Sequence, residues 1–198
     1  MSTSASYSIG CLVMAAGSAS RFGENKLNAA FDGQTLIERT LRALPAALFS
    51  RVTVVTQYPS IAQLADSFGF AVIENTQPAL GISHTIHLGT SAMAACDGIL
   101  YLVADQPLLS GESIARIVSA WKSAPDRIVG ASHNGRHGNP NLFPARFFPA
   151  LLALEGDCGG NRVIRAHPEA FLPVEVSALE LTDCDTPQQL HALQAAAE

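Results

Sequence analysis

Along this chain the hydrophobic positions switch repeatedly between short unbroken runs and runs spaced three and four apart. Ile9 to Ala16 (IGCLVMAA) is apolar throughout and stops at Gly17, the pattern of a strand covered on both faces. Ile37, Leu41, Leu44 and Leu48 return at helical spacing, and Val52 to Thr56 (VTVVT) is short and β-branched, which predicts a second buried strand. Ile61, Leu64, Ala65 and Phe68 mark an amphipathic helix, Phe70 to Ile73 a third strand, and Ile82, Ile86, Gly89 and Met93 one side of another helix. Ile99 to Ala104 (ILYLVA) predicts a fourth strand. Ser110 then caps a helix whose apolar stripe is Ile114, Ile117, Val118 and Trp121. This βαβαβαβα order predicts a three-layer α/β/α sandwich around a mostly parallel, Rossmann-like sheet.

After Asp126 the rhythm changes. Arg127 to Ser132 reads as a strand, His133 to Gly138 (HNGRHG) as a loop, and Asn139 to Phe143 as extended, with Pro140 marking an edge or a strand start. Phe171 to Val176 and Leu179 to Leu181 predict further short strands. Thr186 as N-cap, Pro187 at the first helical position and Gln189 two residues on predict a capping box that opens a last helix. No composition break, internal repeat or low-complexity linker interrupts the chain, so 1–198 reads as a single domain.

Composition narrows the classes. A chain of 198 residues hides roughly 70–75% of its unfolded surface, enough for a core without disulfides or zinc. With 48% hydrophobic and 15% charged residues it has the apolar content that disordered chains lack. A net charge of -5 argues against a nucleic-acid binder, because nothing would neutralise a run of phosphates. The first ten residues lack a basic region and a long apolar region, and no run approaches the about 20 apolar residues of a membrane helix. Cys11, Cys96, Cys158 and Cys184 form no C-x-x-C pair and read as reduced thiols. A cytoplasmic protein without nucleic-acid or membrane partners is the expectation.

Lysine is scarce: Lys26 and Lys122 stand against ten arginines. Lys26 falls in the first of three clusters at the carboxyl ends of predicted strands, where open parallel sheets bind ligands. That cluster, Ala15 to Lys26 (AAGSASRFGENK), combines Gly17 and Gly23 with Ser18, Ser20, Arg21 and Lys26, the composition of a polyphosphate cradle. It is neither a Walker P-loop nor a G-x-G-x-x-G turn. The second cluster, Asp105-Gln106-Pro107, puts a carboxylate behind an apolar strand. Magnesium takes one or two carboxylates plus substrate phosphates, so Asp105 suits a metal–triphosphate site. The third, Asp183-Cys184-Asp185-Thr186-Pro187, spaces two carboxylates by two, on one face if extended, and assigns Asp185 to the metal. His84 and His87 share a helix face but lack the further ligands of a zinc site, and no G-x-S-x-G elbow supports a serine nucleophile.

Taken together, these motifs resemble the MobA-like nucleotidyltransferases, and most nearly their molybdenum cofactor cytidylyltransferase branch. The family pattern L-A-A-G-x-S-x-R-x-G-x-x-K aligns with Met14 to Lys26, sharing Ala15, Ala16, Gly17, Arg21, Gly23 and Lys26, with Met14 in place of the usual leucine. Gly81-Ile82-Ser83, Asp105-Gln106-Pro107, Gly138-Asn139-Pro140, Gly156-Asp157-Cys158-Gly159 and Asp183 to Pro187 follow in order. The chain departs from the family at Gly160-Asn161, where Ala-Arg is common, with Arg162 one place later. The resemblance implies a nucleotide-diphospho-sugar transferase fold and transfer of CMP from CTP to a phosphorylated acceptor, molybdenum-molybdopterin, with Mg²⁺. It implies nucleotide binding by Ala15, Ala16, Gly17, Ser18, Arg21, Lys26, Asn75, Gly81 and Ser83, catalysis by Arg21, Lys26 and Asp105, and metal ligation by Asp105 and Asp185. A molybdoenzyme or cofactor-insertion chaperone is the implied partner. Two alternatives stay open: guanylyl or other nucleotidyl transfer to a different phosphorylated acceptor, and a non-catalytic molybdopterin or nucleotide carrier.

Overall fold

The computed structural model describes residues 6–17 and 25–197. In chain order the elements are β1 (Ile9–Ala15), a small hairpin of β2 (Ala30–Phe31) and β3 (Gln34–Thr35), α1 (Leu36–Ala43), β4 (Arg51–Thr56), α2 (Pro59–Ser67), β5 (Ala71–Glu74), α3 (Ile82–Ala92), β6 (Gly98–Val103), α4 (Gly111–Ser123), β7 (Ile128–His133), β8 (Arg136–Pro144), α5 (Phe148–Leu152), α6 (Asn161–Ala166), β9 (Phe171–Glu175) and α7 (Pro187–Ala197). Seven strands form one sheet in the order β5-β4-β1-β6-β8-β7-β9. Pairings are parallel from β5 to β6 and between β7 and β9, while β8 runs antiparallel to both neighbours. The three-layer, mostly parallel sandwich read from the sequence is the architecture found.

Alternation along β1 sorts the core into the two outer layers. Ile9, Cys11, Val13 and Ala15 face one side, with Ile37 and Leu41 of α1, Ile61 of α2, and Ile114, Ile117 and Trp121 of α4. Leu12 faces the other, with Ile86 of α3, Phe148 and Leu151 of α5, and Val163 and Ile164 of α6. On that second side Gly89 lets α3 lie directly on the sheet: a Cβ there would collide with the Leu12 side chain. A third, smaller core of Phe31, Leu36, Cys184, Leu190 and Leu193 joins the β2–β3 hairpin to α7.

Four local expectations are corrected. The helix expected to run through Leu48 ends at Ala43, because the residue before Pro45 cannot stay helical and Leu44 turns extended (ψ 122°); Ala46–Leu48 is a 3-10 turn. Leu179–Leu181 is also a 3-10 turn rather than a strand, fastened where the Glu180 N–H donates to Ser177 Oγ (3.2 Å). The loop 133–138 shrinks to a two-residue hairpin turn, since Asn134 and Gly135 adopt positive φ (48° and 79°), the Asn-Gly signature of tight hairpins. Pro140 lies inside an interior strand, tolerated because the β7–β8 register breaks at a bulge there. The periodicity also missed α5, α6 and the β2–β3 hairpin, all too short to show a period.

Candidate active site

The sheet order reverses beside β1: the chain leaves it for β4 on one side and later returns to β6 on the other. A crevice therefore opens at the carboxyl ends of β1 and β6. A cleft of about 290 Å³ lies there, lined among others by Ala16, Gly17, Lys26, Gly81, Asp105 and Asp157.

Neighbouring elements fix the first wall, at the end of β1. Thr56 Oγ1 donates to Ala15 O (3.0 Å), Gln57 Nε2 to Ala16 O (2.8 Å) and Tyr58 OH to Gly17 O (3.0 Å). Three consecutive side chains at the carboxyl end of β4 thus hold three consecutive carbonyls. Because C=O and N–H point oppositely across a trans peptide, the N–H groups of Ala16 and Gly17 are turned away from these donors. Sequence reasoning missed the role of these three residues, since Thr-Gln-Tyr at a strand end carries no motif.

Lys26 opens a 3-10 turn (Lys26–Asn28) whose next residue, Leu27, is buried in the core and anchors the backbone. Its ammonium donates to Asp105 Oδ2 (2.6 Å) and to Asp185 Oδ1 (2.7 Å). Burial works against that charge, but the two carboxylates outweigh it and raise the Lys26 pKa above the ordinary lysine value. Asp105 stands just past β6, and its carbonyl accepts the Cys184 N–H (2.8 Å), so main-chain pairing brings the 183–185 segment to it. Gln106 Nε2 donates to Asp183 Oδ1 (3.0 Å), and Arg39 Nε holds Pro107 O (2.7 Å). Burial, reinforced by the Asp105 charge, raises the Asp183 pKa, and burial also pushes the Cys184 thiol up to about 11.

The Thr186–Gln189 cap has a role in this site. Gln189 N–H donates to Thr186 Oγ1 (3.2 Å), while Gln189 Oε1 accepts the N–H of Asp185 (2.9 Å), one residue earlier than a standard capping box. The helix cap thereby fixes the backbone of a site carboxylate.

The other sequence-assigned residues divide into two groups. Gly81 lines the cleft with φ 83°, and a Cβ on it would stand 2.5 Å from the Gly156 carbonyl, so the two glycine loops interlock. Ser83 lies behind this junction, its N–H on Gly156 O (3.2 Å) and its side chain buried. Asn75 is buried too. Its Nδ2 donates to Thr85 Oγ1 (3.2 Å) and its Oδ1 accepts the Gln77 N–H (3.0 Å), so it braces the wall through Thr85, which lines the cleft. Ser18 and Arg21 lie outside the described residues.

The donor set suits a divalent cation. Asp105 and Asp185 converge on a single point, now filled by Lys26 Nζ, and Asp105 Oδ1 is buried with no hydrogen-bond partner among the described residues. Among the described residues no group of three or more His, Cys, Asp or Glu is arranged to hold a metal by itself. Two carboxylates completed by phosphate oxygens are what magnesium prefers. His84 and His87 sit on α3 outside any such group, and the four cysteines are free thiols.

The protein that carries this crevice is a nucleotidyltransferase. The chain belongs to the MobA-like NTP transferase domain family, whose model matches residues 11–171. It is 27% identical to the purine catabolism protein PucB of Bacillus subtilis, over 92% of this chain and 94% of that protein. It is 28% identical to the molybdenum cofactor guanylyltransferase of Vibrio cholerae serotype O1, over 90% and 88% respectively. Among solved structures it superposes on a nucleotidyl transferase from Methanothermobacter thermautotroptrophicus with a TM-score of 0.81 and 23% identity, over 96% of this chain and 97% of that one. No helix among the described residues is long and apolar enough to cross a membrane.

Proposed function

We propose that this protein transfers CMP from CTP to a phosphorylated acceptor, molybdenum-molybdopterin, and releases pyrophosphate. The observation that carries the reading is the convergence of Lys26, Asp105 and Asp185 beside the β1 loop, which sets an ammonium and a pair of carboxylates able to hold a cation where a triphosphate would lie. The acceptor phosphate is ionised at neutral pH, so the reaction needs no general base, and catalysis reduces to positioning and charge stabilisation. The N–H groups of Ala16 and Gly17 hold the nucleotide phosphates. Lys26, released onto the substrate, offsets charge growing at the α-phosphoryl group. Arg21 is assigned the β- and γ-phosphates by the resemblance, a task suited to its planar fork. Asp105 and Asp185 would hold Mg²⁺, which would neutralise charge on the substrate's phosphates.

One unbroken seven-stranded sheet supports the reading of 1–198 as a single domain. A cytoplasmic site of action and delivery of the product to a molybdoenzyme or insertion chaperone follow from the same reading. The guanylyltransferase of Vibrio cholerae favours GTP as the second reading. Pyrophosphate release measured with CTP, GTP, ATP and UTP, each with and without Mg²⁺ and molybdenum-molybdopterin, separates them. CTP-selective release requiring metal and acceptor is expected; GTP-selective release transfers the protein to the guanylyl reading. Nucleotide binding without turnover under every condition supports a carrier.

A further inference from the structure

We infer that Lys26 is an internal stand-in for the metal: its ammonium occupies the place between Asp105 and Asp185, so that a divalent cation enters only together with a nucleotide whose phosphates draw the lysine away. This rests on the nucleotidyltransferase reading and adds an order of binding to it. The distances of 2.6 and 2.7 Å are those of charge-assisted hydrogen bonds to two carboxylates carried by different elements, one after β6 and one before α7. Lys26 and Asp105 are only about one-fifth exposed (19% and 21%), so water screens their pair poorly. With Asp183 held nearby by Gln106, three carboxylates share this corner with a single described ammonium.

Such a corner demands a cation, and geometry allows one at a time. A magnesium ion sits about 2.0–2.1 Å from its oxygens. Placed on the Asp105 Oδ2 and Asp185 Oδ1 that Lys26 now grips, it would be pressed against the ammonium, with strong repulsion. The remaining Asp105 oxygen, Oδ1, is buried and out of reach of a hydrated ion while the lysine stays. Departure of the lysine leaves the turn that follows it in place. Leu27 pins the backbone in the core, and the four-carbon lysine stem swings on its own. A triphosphate supplies both the destination for the ammonium and the extra oxygens that complete the metal's shell. Charge is conserved in kind: the carboxylates exchange one cation for another, and the lysine exchanges carboxylate for phosphate.

The test is Mn²⁺ binding followed by electron paramagnetic resonance of the free ion. Wild-type protein is expected to bind Mn²⁺ weakly alone and about 10–100-fold more tightly with α,β-methylene-CTP, the range of a coupling between two ligands at one site. Lys26→Met should bind Mn²⁺ without nucleotide about tenfold or more tightly than wild type. Adding Asp185→Asn to that variant should remove the gain. Lys26→Gln serves if Lys26→Met does not fold. Lys26→Arg, which keeps a cation there, should stay weak. Unchanged Mn²⁺ affinity in the folded charge-removing variant, or equal wild-type affinity with and without nucleotide, overturns the inference. The two readings fail separately. Pyrophosphate release with no gain in Mn²⁺ binding refutes the stand-in role alone. The gain without release by any nucleotide refutes the proposed reaction alone.

Discussion

At the scale of single residues, the site depends on side chains that contribute charge or hydrogen bonds rather than core. Lys26→Ala should fold, because its neighbour Leu27 and not Lys26 anchors the turn. Pyrophosphate release should nevertheless fall by about two orders of magnitude or more, as expected when a stabiliser of developing charge is removed. Wild-type turnover in that variant would remove Lys26 from the mechanism. Gln57 acts one step back, through the Ala16 carbonyl it holds at 2.8 Å. Gln57→Leu keeps the bulk and deletes the donor, so it should raise KM for the nucleotide several-fold and lower kcat less, while Gln57→Asn recovers little because it is one carbon short. Steady-state kinetics with varied nucleotide check the split. The first cluster was legible in the sequence because glycines and cations crowd a strand end. Gln57 was not, because its contribution arises only when β4 lies beside β1.

At the scale of elements, two contacts decide how helices and turns hold the sheet ends. Gly89 brings α3 against Leu12, and Gly89→Ala should destabilise by about 1–3 kcal/mol from overpacking, less whatever alanine returns in helix propensity. A lower denaturation midpoint at unchanged slope verifies it. Glu180 ties the 179–181 turn to the start of α4, accepting from Ser110 N (3.1 Å), Ser110 Oγ (2.7 Å) and Ser177 N (3.1 Å). Burial opposes its ionisation, but the hydrogen bonds from Ser110, Ser113 and Ser177 outweigh it, so its folded pKa lies below the ordinary 4.5. A depressed carboxylate pKa stabilises the fold above the unfolded pKa, and that contribution is lost as pH falls through the lower folded value. Thermal melts of Glu180→Gln should therefore lie below wild type at neutral pH and converge with it as pH falls through the lowered folded value. The Leu179 segment reads as a strand in the sequence because apolar residues at 179 and 181 alternate. Serine and glutamate hydrogen bonds to a distant helix start make it a turn instead.

At the scale of the whole molecule, the site is an assembly of segments far apart in the chain: Gly17, Lys26, Gly81, Asp105 and Asp185 meet where the strand order reverses. Asp185 is attached through the small core that joins α7 to the β2–β3 hairpin, beyond the 171 at which the family match ends. If the chain is one domain, guanidinium unfolding should be a single cooperative step. The ellipticity transition should coincide with the fluorescence of Trp121, the sole tryptophan, which is 1% exposed against the sheet. Separated transitions would divide the chain into independently stable parts.

The sequence by itself determined the layered α/β fold, the family and the chemistry of the strand-end clusters. Each of these is written in local periods and residue types: apolar runs for the strands, 3.6-residue stripes for α2, α3 and α4, and glycine, lysine and aspartate at their ends. Tertiary structure alone decided which of those residues meet. It gathered Asp105 and Asp185 around Lys26, turned Asn75 and Ser83 inward as braces, and set Thr56, Gln57 and Tyr58 on the carbonyls of the β1 loop. The physical reason is that burial and hydrogen-bond partnership depend on neighbours tens of residues away. A polar side chain's role is fixed by what packs beside it, and local spacing carries no record of that.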